Sequence, residues 1–154
     1  MKIRNFIITF VSAIALLLST ATISFAKVVG DKIILGAAVS LTGKYSSNGV
    51  HTQNGYNMAV DRINSKGGIK VGGKTYKFEI IYYDDESNPK RAAQLAERLI
   101  SQDKVEFMLG PYSSGLTKAM APVTEKYGVP MVEANGASRS LFTKGYKYLF
   151  AVLA

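Results

Sequence analysis

Residues 32–68 read KIILGAAVS LTGKYSSN GVHTQNGYNMAVDRINSKGG, and their pattern sets the fold. Lys32 to Ser40 is a short apolar run rich in strand formers, with two central alanines and one glycine. It reads as a buried strand. Leu41 to Asn48 is a polar loop containing glycine and serine. From Asn54 to Ile63 the apolar residues Tyr56, Met58, Ala59, Val60 and Ile63 fall on one helical face. Asn64 to Gly68 then stops the helix, because glycine accepts a left-handed cap.

The same alternation continues downstream. Tyr76 to Tyr83 (YKFEIIYY) reads as a strand. Asp84 to Asn88 is an acidic turn, and Asn88-Pro89 has the form of a helix cap followed by proline at the first helical position. Ala92, Ala93, Leu95, Ala96, Leu99 and Ile100 follow at helical spacing. Val105 to Leu109 predicts a third strand and Leu116 to Tyr127 a third helix. Val129 to Val132 predicts a fourth strand, and Tyr148 to Leu153 a fifth. Short connections between alternating strands and helices imply an α/β fold, a Rossmann-like doubly wound parallel sheet with helices on both faces. In such sheets ligands bind beyond the strand C-termini. That rule selects Leu41 to Asn48, Gly110 to Gly115 and Glu133 to Ser140.

Upstream of the fold, residues 1–26 have the form of a secretory signal peptide. Lys2 and Arg4 precede a nearly unbroken apolar run from Phe6 to Leu18, and Ser24-Phe25-Ala26 offers small residues for cleavage after Ala26. The run is shorter than the roughly 20 residues that span a bilayer. The segment 27–154 would be the exported part. Its formal charge is +6, against +8 for the whole chain, because Lys2 and Arg4 leave and no acid goes with them. The basic residues are scattered, with no dense block interleaved with aromatics, which argues against nucleic acid as a partner. The chain has no cysteine, so neither disulfides nor a lipid-modified cysteine enter, and a periplasmic location is expected.

Chemistry is sparsely represented. Gly68 to Thr75 fits the phosphate-loop pattern G-x-x-x-x-G-K-[ST], but a helix precedes it and a strand follows, the reverse of what phosphate binding needs. It is read as a glycine-rich turn. His51 is the only histidine, which gives a metal site little to build on, and it reads as a surface residue. Asp84, Asp85 and Glu86 lack calcium-loop spacing and suit a structural role before a helix N-terminus. Ser114 lacks a hydrolase context, and no general base is in view. No catalytic residue, metal or cofactor is therefore expected. The serines, tyrosines and asparagines of the crevice suit recognition.

An ordered set of segments carries a family resemblance. Ile33 to Gly43, Gly55 to Ile69, Tyr82 to Asp85, Asn88-Pro89, Ala92 to Ile100, Val105 to Gly110, Ser113-Ser114, Tyr127 to Pro130 and Ala137-Ser138 together resemble the opening of branched-chain amino acid (leucine-type) substrate-binding proteins of ABC transporters. These are type I periplasmic binding proteins. The resemblance implies two Rossmann-like lobes closing on a small ligand without chemistry, and delivery to an ABC permease in the membrane. It implies that Ser114, Ala137 and Ser138 contact the ligand's carboxylate and ammonium, with Ser113 and Tyr112 as neighbours in the pocket. Helix N-terminal amides beside Ser114 fit an anionic group. Glu133 to Gly136 departs from the family's usual turn and reads as one residue longer, so the register of Ala137 and Ser138 stays open by one. Glu133 either faces the ligand, favouring a cationic or amide-bearing one, or lies at the surface. Members are generally more than twice this length, so the chain reads as an incomplete first lobe with apolar faces left open and marginal stability. A receptor's sensing domain, or a truncated fragment without function, are the alternatives.

Overall fold

The computed structural model describes residues 28–152. The chain runs β1 (Val28–Val29), β2 (Lys32–Val39), α1 (Ser46–Ser65), β3 (Ile69–Val71), β4 (Lys74–Asp84), α2 (Pro89–Ser101), β5 (Met108–Leu109), α3 (Ser114–Tyr127), β6 (Met131–Glu133), a 3-10 turn (Arg139–Leu141) and β7 (Leu149–Ala151). The proposed signal segment lies outside the described residues. Among those residues no helix is long and apolar enough to cross a membrane.

The strands form one sheet in the order β3-β4-β2-β5-β6-β7, with β1 beside β2. The pairs β2–β4, β2–β5, β5–β6 and β6–β7 are parallel, as expected. Two antiparallel pairs, β1–β2 and β3–β4, were not expected. The second corrects the reading of Gly68 to Thr75 as a plain turn. Gly72 and Gly73 have φ of 56° and 82°, which makes them a two-residue hairpin turn joining β3 to β4. Beyond the hairpin, the Asn64 side chain accepts from Phe78 N (2.8 Å) and donates to Phe78 O (2.8 Å).

Helices lie on both faces of the sheet. Ile34 and Ala38 of β2 join Met108, Ala92, Ala96 and Leu99 of α2, and Leu116 and Met120 of α3, in one buried cluster. Ile81 and Tyr83 of β4 pack on that cluster, while Tyr82 between them reaches Asn57 of α1 on the opposite face. Alternation along β4 thus serves both layers. On the α1 side much of the sheet is bare. Ile33, Leu35, Phe78, Phe107, Leu109 and Val132 line an apolar groove of about 400 Å³ there. Phe107 is 41% and Val132 40% exposed. An open apolar face was expected.

Element bounds differ from the reading for identifiable reasons. Helix α1 starts at Ser46, eight residues early, across a polar stretch containing Gly49. A helix normally disfavours glycine, but a Cβ here would lie 1.9 Å from the Ser40 carbonyl oxygen. Two strands start late because the preceding helix claims their first amides. Val105 N bonds to Leu99 O (3.0 Å), and Val129 N to Thr124 O (2.9 Å) across the left-handed Gly128. Asn88 caps α2 as read, its side chain accepting from Lys90 N and Arg91 N, with Pro89 in the first turn.

Candidate ligand groove

The order β4-β2-β5-β6 places the switch of winding between β2 and β5, where open α/β sheets bind ligands. The loop after β2 is held by its neighbour after β4. The Asp84 carboxylate accepts from Leu41 N (2.9 Å), Thr42 N (3.2 Å) and Thr42 Oγ1 (2.7 Å). The Ser87 hydroxyl donates to Thr42 O (2.8 Å) and accepts from Tyr45 N (2.9 Å). Beneath them Asp85 is fully buried, and its Oδ1 accepts from Ser40 Oγ (2.6 Å) and Ser87 N (2.8 Å). Burial pushes the Asp85 carboxyl up, against the opposing pull of these two donors. Burial also acts upward on Asp84, yet the Thr42 hydroxyl and the amides of Glu86, Leu41 and Thr42 hold it below its ordinary value. The acids are structural, but they clamp a loop; the cap of α2 is Asn88.

The loops after β5 and β6 form the opposite wall. Ser114 opens α3, and its hydroxyl accepts from Ser138 N at 3.1 Å, so two expected site residues meet. The first-turn amides of such a helix have no intrahelical partner. Ser113 is the N-cap, and its side chain makes no capping bond. The Tyr112 ring meets Tyr45 edge-on, with centroids 5.5 Å apart. Ser138 Oγ lies 2.9 Å from Ser140 Oγ, and Ala137 is exposed.

Between these walls and α1 lies an open groove of about 390 Å³, lined by Asn48, His51, Thr52, Gly55, Tyr56, Tyr112, Ala134 and Asn135. Of the expected site residues only Tyr112 lines it. The β6 loop contributes Ala134 and Asn135, ahead of Ala137 and Ser138. Asn48, Thr52 and Tyr56 are spaced by four on α1, a signal readable only once the helix is known to begin at Ser46. His51 is exposed, as read, yet it also faces this groove. The Tyr56 hydroxyl donates to Gly110 O at 2.6 Å. Burial raises its pKa, and the nearby Glu133 charge raises it further. Among the described residues no group of three or more metal-ligating side chains comes together.

Glu133 is not at the surface. It is fully buried at the end of β6. Its Oε2 accepts from Asn135 N at 3.1 Å and from Gly136 N. Its Oε1 is buried with no hydrogen-bond partner within the protein.

With this geometry in view, the similarities to known proteins are specific. Residues 32–154 match the family model described as periplasmic binding protein. A Leu/Ile/Val-binding protein of Rhizobium johnstonii is 32% identical over 125 residues, covering 81% of this chain and 33% of that protein. A leucine-, isoleucine-, valine-, threonine- and alanine-binding protein of Pseudomonas aeruginosa is 28% identical, covering 80% and 32%. Among solved structures, the branched-chain amino acid transporter substrate-binding protein of Streptococcus pneumoniae in complex with isoleucine superposes with a TM-score of 0.70. It is 35% identical, covering 78% of this chain and 33% of that one. A solute-binding protein of an R. palustris ABC transporter in complex with 4-hydroxybenzoate gives 0.64 at 32% identity, covering 79% and 31%. The fold is that of the first lobe of periplasmic binding proteins. The chain belongs to the periplasmic binding protein family. It spans about a third of the length of these relatives.

Proposed function

We propose that this lobe forms one wall of the solute site of an extracytoplasmic binding protein that serves an ABC importer. It captures a small carboxylate-bearing solute, an amino acid first, without altering a bond. The observation that carries this is the Ser114 hydroxyl. It stands at the first turn of α3, tied to the β6 loop through Ser138 N, on the rim where Tyr112 enters the groove. Unpaired amides at a helix start attract an anion, and an apolar or aromatic body fits beside Tyr112 and Tyr56. The similar structures support this, since one was solved with isoleucine and another with 4-hydroxybenzoate, and both compounds carry a carboxylate.

In this reading Ser114, Ser113 and Ser138 hold the charged end, Ala137 lies at the rim, Tyr112 lines the body of the groove, and an ABC permease receives the solute. The test is calorimetric titration of the intact protein with branched-chain amino acids. Ser114→Ala is expected to weaken binding by roughly 1–3 kcal/mol, the cost of leaving a charged partner short of a hydrogen bond. Unchanged affinity would remove Ser114 from the site. Residues 1–26 act as the export signal in the same proposal, leaving 27–154 as the periplasmic portion. Mass spectrometry of the secreted protein is expected to find Lys27 at the N-terminus. A retained Met1 would refute the signal.

A further inference from the structure

The carboxylate of Glu133 stands in the place where the β6 loop would otherwise offer its amides. Its Oε2 takes the N–H groups of both Asn135 and Gly136, and Asn135 lines the groove. The carboxylate also lies close to α3, near the Thr117 side chain. A Cβ placed on Gly136 would meet Glu133 Oε2 at 2.5 Å and Thr117 Oγ1 at 3.0 Å. Gly136 therefore leaves the space that the Glu133 carboxylate takes between the β6 loop and α3. Gly110 presses on Glu133 from the side, for a Cβ there would fall 2.5 Å from the Glu133 Cβ. The side chain is thus fixed directly behind the groove wall.

Burying a carboxylate with one oxygen unpartnered is costly, and a neutral acceptor would hold the same two amides at lower cost. What the charge adds is a field inside a low-dielectric wall. The groove wall that this field would cross includes Asn135, whose amide Glu133 holds, and Tyr56, whose hydroxyl donates to Gly110 O beside Glu133.

We propose, resting on the functional reading above, that Glu133 determines the ligand class: the groove takes zwitterions, whose ammonium balances the buried carboxylate, and rejects carboxylates that lack one. The loop amides are already occupied by an internal anion. A ligand carboxylate must then rely on Ser114 and the α3 start, close to a like charge. An amino acid relieves that repulsion with its own cation; a plain alkyl or aryl carboxylate does not.

The experiment is calorimetric titration of the intact protein with L-leucine, 4-methylpentanoate (leucine without its ammonium) and 3-methylbutylamine (leucine without its carboxylate). Leucine is expected to bind at least about tenfold more tightly than 4-methylpentanoate, and Glu133→Gln to narrow that ratio by about tenfold while Glu133→Asp largely keeps it. A ratio unmoved by Glu133→Gln overturns the assignment and leaves the functional reading intact. If none of the three probes binds, both readings fall. Should Glu133→Gln not fold, the amide resonances of Asn135 and Gly136 in the wild-type protein decide. They stay unshifted by saturating 4-methylpentanoate if Glu133 keeps them, and a shift shows that the ligand carboxylate displaces it, which overturns the proposal.

Discussion

The two faces of the sheet are built from the same strands and end in opposite conditions. On the α2–α3 face, Leu99, Met108, Leu116, Met120 and Met131 are at most 1% exposed. On the α1 face, Phe107, Val132 and Phe150 keep between 40% and 51% of their surface. Strand alternation supplies apolar side chains to both faces. Helices α2 and α3 together close one face, while α1 shields only part of the other. An apolar residue in a strand therefore stabilises only when a second layer lies over it. The bare face of this lobe is the kind of surface proteins keep for contact with further polypeptide.

The largest test of that contrast is a matched pair of truncations. Leu99→Ala on the closed face is expected to cost ~2–5 kcal/mol in urea unfolding. Val132→Ala on the open face is expected to cost below about 1 kcal/mol, since much of its side chain is already in water. Equal losses would mean that the open face is covered in solution, and the comparison would fail.

The smallest effect sharpens the contrast at the rim, where both layers meet. Asp84 is held below its ordinary pKa, so its contribution is present above the unfolded-state value and is lost as pH falls through the folded one. Asp85 is raised, so its ionised form costs stability at neutral pH, and that cost disappears as pH falls through its raised value. On acidification from neutrality, stability is expected to rise slightly and then decline. Asp85→Asn should erase the rise and Asp84→Asn should soften the decline, both read from thermal melts between pH 7 and 3. A monotonic profile that neither variant changes would show that the clamp does not titrate as described.

Much of the fold was legible in the residues because periodicity reports burial directly. The runs KIILGAAVS and YKFEIIYY, the Asn88-Pro89 cap and the Leu95–Leu99–Ile100 stripe all became what they predicted. What stayed hidden depended on contacts distant in sequence. Gly49 opens a helix only because the Ser40 carbonyl sits against it. The amides of Val105 and Val129 belong to the preceding helices, which no local pattern shows. The candidate groove was legible in part. Ser114 and Ser138 do meet, and Tyr112 does line the groove. Asn48, Ala134 and Asn135 fall within the loops that the strand order selected without being singled out there, whereas Thr52 and Tyr56 lie on α1 beyond those loops.

The Asn64 side chain has a consequence beyond α1. The hairpin β3 pairs only with the first residues of β4, ending at Tyr76. The next outward-facing peptide groups, on Phe78, are both taken by the Asn64 amide, which imitates one residue of an adjoining strand. An open strand edge invites another chain to add itself. Here a single carboxamide takes the peptide groups just past the hairpin, so another chain cannot pair with β4 at Phe78 while Asn64 holds it.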